Sequence, residues 1–244
     1  MSIKYTYKDI SSLGKFLRMM LLASAGATVL SLLDGAAEYV MLKMLDAGMF
    51  EGEAVADLYF NILYAVQLLI ALAETILWYI AAFMSLRWMY LAASNIMAWE
   101  IPHVKQKPNM CFWNYIIPFW NLFQPYLFMR DICNAVKVDA CGSSSWKKLP
   151  GPGVLKLWWA AFLLYSIFSR AVFRLSGKDD PSMSYAIQML VLETVADIAD
   201  IIAVLSLLVI TRRVEEDQKN YKEKYKFRQI DQLPEVLPAD IALS

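Results

Sequence analysis

The sequence predicts an all-α, polytopic membrane protein: four transmembrane helices plus a Pro-broken helical segment at the cytoplasmic face of the bilayer. Three observations predict this. Apolar residues make up 59% of the chain, above the roughly 45–50% usual for soluble domains. Four apolar stretches, at about 14–33, 60–86, 154–175 and 186–210, each offer about twenty residues, the length that crosses a bilayer as a helix. Lys and Arg gather in alternate connectors, as they do on the cytoplasmic side of multi-span proteins. The 23 basic and 23 acidic residues balance, so charge gives no case for nucleic acid.

The first span follows a basic start, in which Lys4, Lys8, Lys15 and Arg18 face Asp9 alone. A basic start, an apolar run and Ala23-Ser24-Ala25 resemble a signal peptide. That triplet falls early in an apolar run reaching Leu33, so a retained span is expected. Ala23 with Ala27, and Ser24 with Thr28, place small residues four apart, which suits close helix packing in lipid. Asp34–Asp57 then reads as an acidic connector with a turn at Gly48 and Gly52, and Tyr39–Leu45 extends the first helix.

The second span, interrupted by Glu74, runs into Arg87-Trp88-Met89-Tyr90. Its helical pattern continues to about Trp99 and stops at Pro102. The next connector, 101–156, is basic. It contains Cys111–Arg130, nearly apolar enough to be a span but carrying Pro118 and Pro125, each of which removes a helix donor. Gly142-Ser143-Ser144-Ser145 and Pro150-Gly151-Pro152-Gly153 read as flexible or turning. The third span places Trp158 and Trp159 where an interfacial aromatic belt belongs. The polar turn Ser176–Pro181 leads to the fourth span. Residues 212–244 read as a charged cytoplasmic tail, a solvated helix and then a disordered end.

Basic bias puts both termini and the 101–156 connector in the cytoplasm. A fifth crossing at 111–130 would carry Arg212-Arg213 outside, which argues that this segment lies at the interface.

Ionisable groups inside spans each cost about 2.5–3.5 kcal/mol on insertion scales, so they mark candidate sites. Glu193, Asp197 and Asp200 recur at i, i+4 and i+7 on one face of the fourth span; Arg170 and Arg174 share a face of the third. At ~1.5 Å per residue, Arg170 lies roughly 8 Å and Glu193 roughly 12 Å from the outer ends of their helices, and Glu74 roughly 21 Å, level with Asp200. An Arg170–Glu193 ion pair is therefore expected. So is a Glu74/Asp197/Asp200 face that either borders a wet cavity or carries protons or cations.

Cys111, Cys133 and Cys141 form no CxxC, and His103 is the sole histidine. The sequence suggests no metal site and no cofactor. There is no HExxH, GxSxG or phosphate-binding glycine loop. Asp197 and Asp200 sit on one helix, whereas a catalytic dyad draws its carboxyls from two elements.

The run Phe83–Ile96 (FMSLRWMYLAASNI), followed by Trp113, Ile117-Pro118-Phe119, Asn121-Leu122, Pro125-Tyr126, Met129-Arg130-Asp131 and Trp158-Trp159, resembles the bacterial membrane family called domain of unknown function 4328. Its pattern is a WxYRAxxNL-like helix end, then WFxPxxNLxxPxxxMRE. The matching positions are Arg87, Trp88, Asn95, Trp113, Pro118, Asn121, Leu122, Pro125, Met129 and Arg130. Leu91 stands where Arg is common and Asp131 where Glu is common. The resemblance implies four spans and an unassigned function and supplies no catalytic residues; the expected location is a bacterial inner membrane. Physically, the prolines allow two short interfacial helices with Trp113, Phe119, Trp120, Phe123 and Phe128 dipping toward lipid or the bundle. Asn121 is expected to cap a helix or to bond a freed carbonyl, and Arg130 to face phosphate, Glu100 or Asp131.

The functional expectation is a non-enzymatic accessory, scaffold or envelope-response component, with a small proton- or cation-conducting transporter as the alternative. Its expected partners are the lipid bilayer and a membrane protein or second copy of itself.

Overall fold

The computed structural model describes residues 5–49, 53–101, 104, 107–137, 149–177 and 182–231. Pro102, His103, Cys141, the Gly142–Ser145 run, Gly52 and the end beyond 231 lie outside the described residues. The elements are α1 (Ser11–Asp46), α2 (Glu53–Ala98), α3 (Met110–Ile116), a 3-10 turn (Trp120–Leu122), α4 (Gln124–Ala135), α5 (Gly153–Leu175) and α6 (Met183–Asp231). Four of them, α1, α2, α5 and α6, are long and apolar enough to cross a membrane. The protein is a multi-pass, all-α membrane protein.

The long helices overrun the apolar stretches that announce them. α1 continues through Asp34 and Glu38 and ends only where Gly48 takes a φ of 66°, a left-handed conformation that costs glycine nothing. Asp34 and Glu38 therefore belong to a helix, not to an acidic connector. α6 likewise runs without a break from the fourth apolar stretch into the charged tail. Val214 and Gln218 are buried, so one face of the first turns past Arg212-Arg213 packs on the bundle, while Glu216, Lys219 and Asn220 stay exposed.

α1 packs along both α2 and α6, and α6 packs along α5. α2 meets α5 through Trp78 and Tyr165, whose ring centroids are 6.4 Å apart. Small residues let α1 sit close: Ser24, Ala27 and Thr28 are buried. Outward faces are apolar, as lipid requires; Leu68, Leu69, Leu72 and Ile76 of α2 are exposed.

The dense core occupies the end of the bundle where α3 and α4 dock. It includes Leu17, Leu21, Trp88, Met89, Phe128, Met129, Leu155, Trp158, Leu207 and Ile210. Trp158 and Trp159 are buried in it, not set in a lipid-facing belt. The Trp159 Nε1–H donates to the Leu122 carbonyl at 3.0 Å, so the broken segment covers these rings.

Candidate functional site

The prolines break the Cys111–Arg130 stretch as expected. α3 ends at Ile116, and Pro125 opens α4, where its missing N–H costs nothing. Between them the Trp120 N–H donates to the Pro118 carbonyl at 2.8 Å. This closes a γ-turn around Phe119, at φ 64° and ψ −36°. That form of γ-turn is rare and strained. Phe119 is nonetheless 81% exposed, alongside exposed Trp113, Ile116, Trp120 and Phe123, whereas Phe128 and Met129 turn into the core. Asn121 caps no helix here, since α4 has no side-chain cap. Arg130 pairs with Asp131, from Nη2 at 3.0 Å and Nε at 3.3 Å to one carboxylate oxygen.

At the same end, a polar network ties the N-terminal segment to α2 and α6. Asn95 is fully buried. Its Oδ1 accepts from the Lys8 backbone N–H at 2.8 Å; its Nδ2 donates to the Lys8 carbonyl and to Gln218 Oε1, both at 2.9 Å. Gln218 Nε2 in turn donates to the Ala92 carbonyl at 2.9 Å. Every polar atom of the Asn95 amide is used, as burial demands. Nearby, Arg18 and Glu215 form an ion pair at 2.8 Å with the carboxylate lying directly over Gly14. The Trp88 indole lies beside the same carboxylate. Arg87, the residue before it, points outward.

The other half of the bundle opens around a cavity of about 870 Å³. All four long helices line it. α1 contributes Ser31, Asp34 and Glu38; α2 contributes Gln67, Glu74, Thr75, Trp78 and Tyr79; α5 contributes Phe162, Tyr165, Ser166, Ser169 and Arg170; α6 contributes Glu193, Asp197 and Asp200. Six carboxyl groups thus face one guanidinium. Gln67 Nε2 donates to Glu38 at 2.6 Å near one end. Deeper, the Thr28 hydroxyl lies 2.8 Å from Glu74 Oε1, 3.3 Å from Asp200 Oδ2 and 3.2 Å from the Ser24 carbonyl.

Of the charged positions singled out in the sequence, Glu74, Arg170, Glu193, Asp197 and Asp200 share this cavity, and Arg174 lies exposed in the last turn of α5. The expected Arg170–Glu193 ion pair is not formed. Among the described residues the ion pairs are Arg18–Glu215 and Arg130–Asp131. Equal depth along two helices does not fix the direction in which side chains point, and both groups open into the cavity. Thr28, Asp34, Glu38, Trp78 and Tyr165 were missed as site residues. The i, i+3, i+7, i+10 polar series Thr28, Ser31, Gly35, Glu38 was a legible signal of a polar helix face. Among the described residues no three His, Cys, Asp or Glu side chains converge to hold a metal ion.

The family described as Domain of unknown function (DUF4328) matches residues 52–216. The chain belongs to that family. No curated protein and no solved structure matches it. The DUF4328 region includes the cavity walls from α2, α5 and α6, the broken segment, and Glu215. The α1 wall, with Thr28, Asp34 and Glu38, precedes it. Within the DUF4328 pattern, Trp88, Asn95, Pro125 and Met129 are core residues, whereas Trp113, Pro118 and Leu122 are surface residues. Trp88, Asn95, Pro125 and Met129 thus sit at the core end, and the acidic cavity lies apart from these positions.

Proposed function

We propose that this protein is a non-enzymatic membrane component that holds a cation in the acidic cavity, entered from the end bearing Asp34 and Glu38. The observation that carries this reading is the excess of carboxyls over cations inside a bilayer-spanning bundle: six against Arg170. Unpaired charges there are costly and mark ion or substrate sites. Further support comes from the opposite end, where Leu17, Trp88, Leu207 and Ile210 are buried in one packed apolar core. A cavity closed below suits retention over conduction, and retention suits an accessory or scaffold role in the inner membrane. The basic bias of the Met1–Arg18 segment and the α2–α5 connector supports a cytoplasmic position for the closed end. Phe123→Cys should then react with an impermeant maleimide only from that side.

The test is reconstitution of the full chain in liposomes with measurement of both cation-dependent stability and flux. Saturable stabilisation without steady flux, lost in Glu74→Gln/Asp200→Asn, is the expected result. Carboxylate-dependent flux would instead favour a conducting pathway, for which the adjacency of Glu74 and Asp200 is the specific argument. Absence of any cation effect would remove the cavity from the account.

A further inference from the structure

The floor of the cavity has too few hydrogen-bond donors. The Thr28 hydroxyl carries one proton, and three acceptors surround it: Glu74 Oε1, the Ser24 carbonyl and Asp200 Oδ2. The shortest contact, at 2.8 Å, goes to Glu74. Asp200 is 93% buried, since 7% of its surface remains accessible. It lines the cavity, and its Oδ2 shares the single Thr28 proton at 3.3 Å with the closer Glu74 Oε1 at 2.8 Å. One proton cannot satisfy two carboxylates, and an under-satisfied buried acceptor is disfavoured, so a guest that brings N–H groups is favoured at this point.

The walls narrow the class of guest. A bare divalent ion needs several convergent ligands, and no such set exists among the described residues. Trp78 lies one helical turn from Glu74 on the same face of α2, and its ring meets that of Tyr165 across the bundle at 6.4 Å. Carboxylates beside aromatic faces attract an ammonium group and its alkyl chain together. A volume of about 870 Å³ is within the range of small-molecule sites. From the shortage of donors between Glu74 and Asp200, the aromatic wall and the volume, we infer that the cavity binds a primary alkylammonium ion, its N–H donors on Glu74 and Asp200 and its chain along Trp78 and Tyr165. The assignment rests on the cation-holding role proposed above and gives it a substrate class.

Calorimetric titration of the full chain in detergent, at fixed pH and ionic strength, tests it with n-butylammonium, tetramethylammonium and sodium chlorides. Butylammonium should saturate at a concentration about tenfold or more below the other two, because only it supplies both charge-assisted N–H donors and a chain. Trp78→Leu should raise the butylammonium midpoint about fivefold and leave sodium unchanged. If that variant does not fold, the ranking on the wild-type chain decides alone. Tetramethylammonium or sodium binding as well as butylammonium overturns the alkylammonium assignment while leaving a cation site standing. A chain that titrates with none of the three overturns both.

Discussion

Gly14→Ala is the sharpest perturbation the core end offers. A Cβ built on Gly14 would stand 1.4 Å from Glu215 Oε1 and 2.5 Å from its Cδ. The carboxylate must therefore retreat by about 2 Å to reach ordinary contact. It is the end of a flexible side chain, so the helices need not separate; the loss is instead the ion pair. Arg18 and Glu215 side chains are 15% and 14% exposed and meet at 2.8 Å. Breaking so buried a pair costs about 3 kcal/mol. Replacing a helical glycine by alanine returns about 1 kcal/mol, which leaves a net destabilisation of about 2 kcal/mol. The decisive comparison is the same substitution in a Glu215→Ala background. There the clash is gone, and Gly14→Ala should stabilise by about 1 kcal/mol. Equilibrium unfolding followed by circular dichroism, in a fixed detergent, reads both. A Gly14→Ala change that is equally harmful in both backgrounds, or harmless in the wild type, would refute the placement of Glu215 over Gly14.

Three further outcomes follow from the same end of the molecule. Cys111 and Cys133, outside the four spanning helices, are buried and free, and burial pushes each thiol up to about 12 from an ordinary value of 9.0. At pH 8 iodoacetamide should modify neither without denaturant; above pH 9 the unfolded chain holds fewer protons than the folded one, so their contribution to stability is full below pH 9 and falls as pH rises toward 12. Asn95→Ala removes three bonds and leaves the Lys8 peptide and Gln218 unmatched, a cost of about 3 kcal/mol, and it should quicken tryptic cleavage at Lys8 in limited proteolysis. Phe119→Gly should leave detergent-solubilised stability unchanged or raise it by about 1 kcal/mol, because relieved backbone strain offsets the added unfolded-state freedom; a loss of 2 kcal/mol or more in thermal unfolding would mean that the exposed ring packs against something.

The spans were legible because lipid leaves few alternatives to an apolar helix, and the prolines made the broken segment legible because their geometry is local. Helix ends were harder to read. Asp34, Glu38 and the start of the tail look solvated by composition, yet the helices that carry them simply continue. The cavity was half legible. Charges at helical spacing marked Glu193, Asp197 and Asp200, but only packing reveals that Thr28 joins Glu74 to Asp200 from a third helix. Trp158 and Trp159 misled for the same reason, since Leu122, whose carbonyl covers them, comes 37 residues before Trp159 in the chain. The Arg170–Glu193 expectation failed because depth is one coordinate and contact needs all three.

The uninterrupted length of α6 has a mechanical consequence. From Met183 to Asp231 it holds neither glycine nor proline, the usual places where a helix bends. Asp200 at the cavity floor and Gln218 in the core-end network are therefore joined by a stiff strut of about 27 Å. Any tilt imposed at one must be delivered at the other, and through Asn95 to the backbone at Lys8. An occupied cavity and the chain's basic N-terminal segment are thus two ends of one lever.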